Sequence, residues 1–173
     1  MLYIVFTTGR CNLRCAYCGG SFSPERVPWE VKYDPRALKA LVEKDPDAVV
    51  AFYGGEPLLN PGFIRWVMDN VRTKHFVIQT NGTLYGALET SYWRRFDTVL
   101  LSVDGVEELT DRYRGRGVYR KVIDAASRLR GEGYRGDLIA RMTVTEDSDI
   151  YRDVVHLLRL GLFSHVRWQL DVV

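Results

Sequence analysis

Six short apolar runs recur along the chain, at residues 2–7, 48–53, 75–80, 98–103, 137–144 and 165–170, and a helical pattern follows each of the first five. The spacing, roughly 30 residues per unit, suits a strand, a crossover helix and the next parallel strand. The runs are continuous, as in parallel strands covered on both faces. This leaves two α/β architectures, an open doubly wound sheet or an incomplete barrel.

The intervening helices carry their own signals. Asp34-Pro35 opens the first, with Ala37, Leu38, Leu41 and Val42 as its apolar stripe. Asn60-Pro61 opens the second, whose stripe is Phe63, Ile64, Val67, Met68 and Val71. Residues 84–95 read as a weakly patterned third helix. Residues 112–117 read as a basic, glycine-punctuated loop before a helix over 118–130, with Val122, Ile123, Ala126 and Leu129 on one face. Either Ser148 or Asp149 caps the last helix, which Gly161 ends. At 173 residues, with 46% hydrophobic and 27% charged residues, one domain over 1–173 with a sizeable core is expected.

A net charge of +2 leaves no basic footprint for nucleic acid. No apolar run is long enough to span a bilayer, and the start Met1-Leu2-Tyr3-Ile4-Val5-Phe6 reads as a strand, not a signal peptide. Nucleic acid and membrane are therefore not expected partners. Reduced thiols point to the cytoplasm.

All three cysteines fall in one stretch, Cys11-Asn12-Leu13-Arg14-Cys15-Ala16-Tyr17-Cys18. A disulfide would leave one thiol over, and a structural zinc site asks for a fourth ligand, with His75, His156 and His165 far off in sequence. Inert cysteines are rarely packed so closely. Three thiolates suit a [4Fe–4S] cluster whose fourth iron is left open to a ligand. The three histidines and four tryptophans are read as structural.

The residues just past each strand are also informative. Ligands of parallel α/β folds bind at the carboxyl ends of the strands. There the chain places the cysteines, then Gly54-Gly55-Glu56-Pro57, Asn81-Gly82, Ser102 with Asp104-Gly105, and Arg141 with Thr143.

These motifs, CNLRCAYC, GGEPLL, QTNGTL and SVDG, resemble those of the radical S-adenosylmethionine superfamily, in particular its peptide- and protein-modifying branch and archaeal members assigned to it. The resemblance covers nearly the whole chain. It implies an α/β partial TIM-type barrel, a (β/α)6 parallel sheet without its last helix or a C-terminal domain. Cys11, Cys15 and Cys18 would ligate three irons, and S-adenosylmethionine would chelate the fourth. Gly54, Gly55 and Glu56 would accept hydrogen bonds from its amino group. Arg141 would pair with its carboxylate and Ser102 would contact the carboxylate or ribose. Asn81 would shape the pocket near the ribose, and Tyr17 would pack on the adenine. The implied reaction is reductive cleavage of S-adenosylmethionine to a 5′-deoxyadenosyl radical, with a ferredoxin- or flavodoxin-like electron donor and a peptide or protein substrate. A glycyl-radical-enzyme activase and a non-catalytic Fe–S electron-transfer or accessory protein are the alternatives.

Plainer roles exist for each residue. Gly54-Gly55, Asn81-Gly82 and Asp104-Gly105 suit turns. Glu56 suits a solvated loop, Arg141 an edge ion pair and Tyr17 the core. Arg112, Arg114, Arg116 and Arg120 suit a solvated face, or contact with an acidic substrate. Members of the peptide-modifying branch usually carry a C-terminal extension with further cysteines, which this chain lacks. A fragment or a short paralogue is therefore expected, with an uncovered sheet edge.

Overall fold

The computed structural model describes residues 1–171. Strands β1 (Leu2–Thr8), β2 (Val49–Gly54), β3 (His75–Thr80), β4 (Thr98–Ser102), β5 (Asp137–Val144) and β6 (His165–Leu170) form one parallel sheet in sequential order. Parallel crossovers share one hand, so sequential order puts every crossover on the same side. A doubly wound sheet reverses its order midway. The architecture is therefore the incomplete barrel, with β1 and β6 at its two edges.

The core lies between the sheet and its helices. Val50, Phe52, Ile78, Val99, Leu101 and Leu138 are fully buried there, against Ile64, Val67, Val122, Ala126 and Leu157. Each large side chain so buried contributes about 1.5–3 kcal/mol. The other face of the sheet is open in part. Leu2, Ile4 and Phe6 of β1 are 57%, 58% and 39% exposed. The continuous apolar run thus does not mean cover on both faces in β1.

Helix α1 (Pro35–Val42) is capped by Asp34, whose carboxylate accepts from Arg36 N at 2.9 Å. Of its expected stripe only Val42 is buried; Ala37 and Leu41 face solvent. Helix α2 (Pro61–Asn70) is capped by Asn60, and Phe63, Ile64, Val67, Met68 and Val71 are all buried. Residues 84–95 do not form the expected long helix. A 3-10 turn at Tyr85–Ala87 precedes the four-residue α3 (Thr90–Trp93). This segment is held by side chains instead. Trp93 stacks on Tyr85 at 5.2 Å, and Glu132 accepts from the hydroxyls of Tyr85 and Thr90.

Helix α4 (Glu107–Arg114) replaces the first half of the expected basic loop. Its charges suit the helix dipole, with Glu107 and Glu108 in the first turn and Arg112 and Arg114 in the last. Helix α5 (Val118–Gly131) comes next. Asp149, not Ser148, caps α6 (Ile150–Arg159), accepting from Arg152 N at 3.0 Å; Ser148 Oγ accepts from Thr145 N. Among the described residues no helix is long and apolar enough to cross a membrane.

Candidate active site

The cysteine loop leaves β1 at its carboxyl end and is tied down along its length. Thr8 O accepts from Gly55 N at 3.0 Å, and Arg10 O accepts from Glu56 N at 2.8 Å. The two glycines permit this contact. A Cβ on Gly54 (φ +145°) would lie 2.2 Å from Thr8 O, and one on Gly55 would lie 2.2 Å from Arg10 O. Such approaches are closed to any other residue. The Gly-Gly pair therefore joins the end of β2 to the entry of the loop.

Glu56 is not a solvated loop residue. It is fully buried, and its carboxylate accepts from Leu58 N (3.0 Å), Thr80 Oγ1 (2.6 Å) and Asn81 N (2.7 Å). Burial pushes its pKa up to about 7, against the lowering effect of those three bonds. The side chain fastens the end of β2 to the end of β3. From there Asn81 reaches the loop: its Nδ2 donates to Asn12 Oδ1 at 2.9 Å, and its Oδ1 accepts from Thr83 N and Thr83 Oγ1.

The second half of the loop is held from the opposite side. Ala16 N donates to Tyr113 O at 2.8 Å, and the Tyr17 and Tyr113 rings stack at 5.9 Å. Tyr17 Oη donates to Asp104 Oδ2 at 2.9 Å. Asp104 also accepts both guanidinium bonds of Arg114 and the amide of Thr143. Arg114 is therefore buried, not part of a solvated basic face, and its Cζ lies 5.5 Å from the Tyr17 ring centroid. Burial dominates the upward shift of the Tyr17 phenol, so it stays protonated as the donor to Asp104.

Cys11, Cys15, Cys18, Tyr17, Gly54, Gly55, Glu56, Asn81, Ser102 and Arg141, ten residues named from the sequence, all line one cavity. The three thiols are free. Cys15 is buried and Cys18 is exposed. Among the described residues no three metal-binding side chains are placed around a single ion. A cubane takes one thiolate on each of three irons, so it asks the sulfurs to line a cavity and not to meet at a point. Arg141 is half-buried and donates to Met142 O (3.2 Å) and Thr143 Oγ1 (3.3 Å). A guanidinium has five N–H donors, so several remain for a carboxylate.

Sequence reasoning missed Asp104 and Arg114 as a site pair, along with Asn12 and Thr80. The available signal was position: Asp104 lies just past β4 and Thr80 ends β3, on the rim that carries every other site residue.

Three curated proteins are similar in sequence. They are an uncharacterized protein of Methanocaldococcus jannaschii (32% identical over 111 residues, 60% of this chain and 38% of that protein), Fe-coproporphyrin III synthase of Methanosarcina barkeri (26% over 150 residues, 82% and 36%) and pre-heme d1 synthase of Dinoroseobacter shibae (29% over 152 residues, 82% and 36%). Several solved structures share the fold, among them two with bound peptides. One is anSMEcpe with bound AdoMet and Cp18Cys peptide (TM-score 0.74, 22% identity, 98% of this chain and 51% of that one). The other is Streptococcus suis SuiB bound to precursor peptide SuiA (TM-score 0.71, 15%, 98% and 39%). The chain thus spans little more than a third of the curated relatives and about half or less of these structures. At such identities the structures speak for the fold alone. Residues 5–159 match the Radical SAM superfamily model, so the chain belongs to that superfamily, and a [4Fe–4S] cluster and S-adenosylmethionine are its cofactors.

Proposed function

We propose that this protein is a radical S-adenosylmethionine enzyme that modifies a peptide or protein. The observation that carries the reading is the single cavity lined by all ten residues, three thiols among them. The cluster and nucleotide, when bound, supply one-electron chemistry that ends in hydrogen abstraction from the substrate.

The chain's own part is to hold and orient. Cys11, Cys15 and Cys18 take three irons from a loop fixed on both flanks by Asn12–Asn81 and Tyr17–Asp104. Gly54 and Gly55 offer backbone carbonyls to the cationic amino group. Glu56 has two oxygens carrying three bonds; a carboxylate has about four acceptor sites, so one remains for the same group. Arg141 meets the carboxylate with its free N–H groups, beside Ser102, its register partner on β4. Asn81 stands near the ribose and Tyr17 near the adenine. The reaction requires that solvent be kept from the reacting carbon, without which a primary radical would react elsewhere.

A peptide substrate is supported by the peptides bound to the two structural neighbours. A ferredoxin- or flavodoxin-like donor and a cytoplasmic setting belong to the same reading. A second reading is favoured by the curated relatives, two of which are named for tetrapyrrole products and align over 82% of this chain. On that reading the substrate is a carboxylated tetrapyrrole.

The test is anaerobic reconstitution with iron and sulfide, addition of S-adenosylmethionine, reduction with dithionite, and assay for 5′-deoxyadenosine. Formation is expected, and its loss in a Cys15→Ala variant. Absence of product from the fully reconstituted protein, with an electron paramagnetic resonance spectrum indifferent to S-adenosylmethionine, would overturn the proposal.

A further inference from the structure

The two faces of the sheet differ in charge as well as in cover. Ser102, Arg141 and Arg167 are register partners across β4, β5 and β6, so they form one row on the face that carries the cavity. Adjacent strands lie about 4.8 Å apart, which sets Arg167 one strand beyond Arg141. Ser102 and Arg141 line the cavity; Arg167 stands just outside it and is exposed.

Two arginines facing each other on neighbouring strands repel. Burial, together with Arg114 and Arg167, lowers the pKa of Arg141. Arg114 is neutralised by Asp104. Arg141 and Arg167 form no close ion pair among the described residues, and Arg141 donates to a carbonyl and a hydroxyl. Elsewhere Arg65, Arg72, Arg95, Arg112, Arg120, Arg128 and Arg152 each lie on an acidic partner. Two arginines in register without a close carboxylate, at the mouth of the cavity, are an arrangement that bound anions relieve.

We propose that Arg167 forms a carboxylate subsite for the substrate, one strand out from the Arg141 position that takes the cofactor's carboxylate. The proposal rests on the cavity being the radical S-adenosylmethionine site, and it narrows the substrate class to molecules with a carboxylate near the reacting carbon. An acidic residue of a peptide and a propionate of a tetrapyrrole present the same chemistry to Arg167.

The test needs neither reductant nor cluster, so a failed 5′-deoxyadenosine assay leaves it readable. The whole metal-free chain is titrated calorimetrically with a tetraglutamate peptide, its tetraglutamine counterpart and coproporphyrin III. The chain carries in turn no change, Arg167→Gln, Arg167→Lys and Arg116→Gln. Arg116 is exposed and stands on the loop between α4 and α5, so it controls for net charge alone. Expected is binding of at least one carboxylate probe, weakened on the order of tenfold or more by Arg167→Gln, less by Arg167→Lys and not by Arg116→Gln. An Arg167-dependent loss with the peptide alone names an acidic peptide; with the porphyrin alone, a tetrapyrrole. No binding by the unsubstituted chain, equal binding by Arg167→Gln, or an equal loss in Arg116→Gln overturns the subsite.

Discussion

Asp104 and Arg114 form a two-pronged ion pair inside the protein, Nε to Oδ2 at 2.7 Å and Nη2 to Oδ1 at 2.8 Å, with 1% and 7% of their surfaces exposed. Asp104 also accepts from Tyr17 Oη and Thr143 N, so one carboxylate joins the cysteine loop, α4 and β5. Removing one partner of such a pair leaves an uncompensated buried charge and costs about 3–5 kcal/mol. Asp104→Asn is expected to lose that much in urea denaturation of the metal-free protein. Arg114→Lys will not restore it, because an ammonium cannot span both oxygens. An Asp104→Asn protein as stable as its parent would show that the pair is incidental.

The glycines make a contrasting pair of predictions. Gly55→Ala places a Cβ 2.2 Å from Arg10 O, so either β2 or the cysteine loop must shift. Gly62, in the first turn of α2, has open space around its missing Cβ. Gly62→Ala should stabilise by up to about 1 kcal/mol, since alanine loses less backbone freedom in a helix. Gly55→Ala should reduce iron retained after reconstitution, measured per mole of protein, while Gly62→Ala retains it in full. Equal retention by both would mean that the close approach at Gly55 does not set the loop.

Much of this arrangement is written locally in the chain. Helix α2 is readable because Phe63, Ile64, Val67, Met68 and Val71 repeat with helical period, and β3, β5 and β6 occupy the ranges their apolar runs mark. Helix α4 is not, because its buried residues are Leu109, Thr110 and Arg114, which trace no apolar stripe. Arg114 is buried only because Asp104, ten residues earlier, is there to receive it, and an Asp-Gly pair looks the same whether its carboxylate meets water or a guanidinium. Residues 84–95 mislead for a related reason. Their order comes from the Tyr85–Trp93 stack and from Glu132, 38 residues or more away from the segment's own Arg94, Thr90 and Tyr85 partners. The cavity residues were accessible because each lies at or just past the end of a strand, and position along a parallel sheet is fixed by topology.

Glu56 gives the protein an unusual pH dependence. Its carboxyl titrates near 7 when folded and near 4.5 when unfolded. Between those values the folded state binds more protons, so stability contributed by this group is full below about pH 4.5 and falls as pH rises to 7. Comparing the parent with Glu56→Gln, which cannot titrate, isolates the effect from other acids. The difference in unfolding free energy should change with pH by up to about 1.4 kcal/mol per unit inside that window and level off above it. A difference constant from pH 5 to 8 would mean that the three hydrogen bonds to Glu56 outweigh its burial.

The three thiols are unequal before any metal arrives. Cys15 is 5% exposed, Cys11 is half-buried and Cys18 faces solvent. The Cys15 thiol hydrogen-bonds to Cys18, which raises the pKa of Cys15 and lowers that of Cys18; the Gly20 amide and the charge of Arg114 lower Cys18 further. Thiolates are the species that alkylate, and access limits the rate of the others. Brief treatment of the metal-free protein with iodoacetamide at pH 7, followed by peptide mass mapping, should therefore label Cys18 first, Cys11 next and Cys15 last. A ligand must shed its proton to bind metal, and Cys18 would shed its proton more readily than Cys11 or Cys15. Preferential labelling of Cys15 would show that the loop opens in solution, and that its ties to Asn81 and Asp104 do not hold it without the cluster.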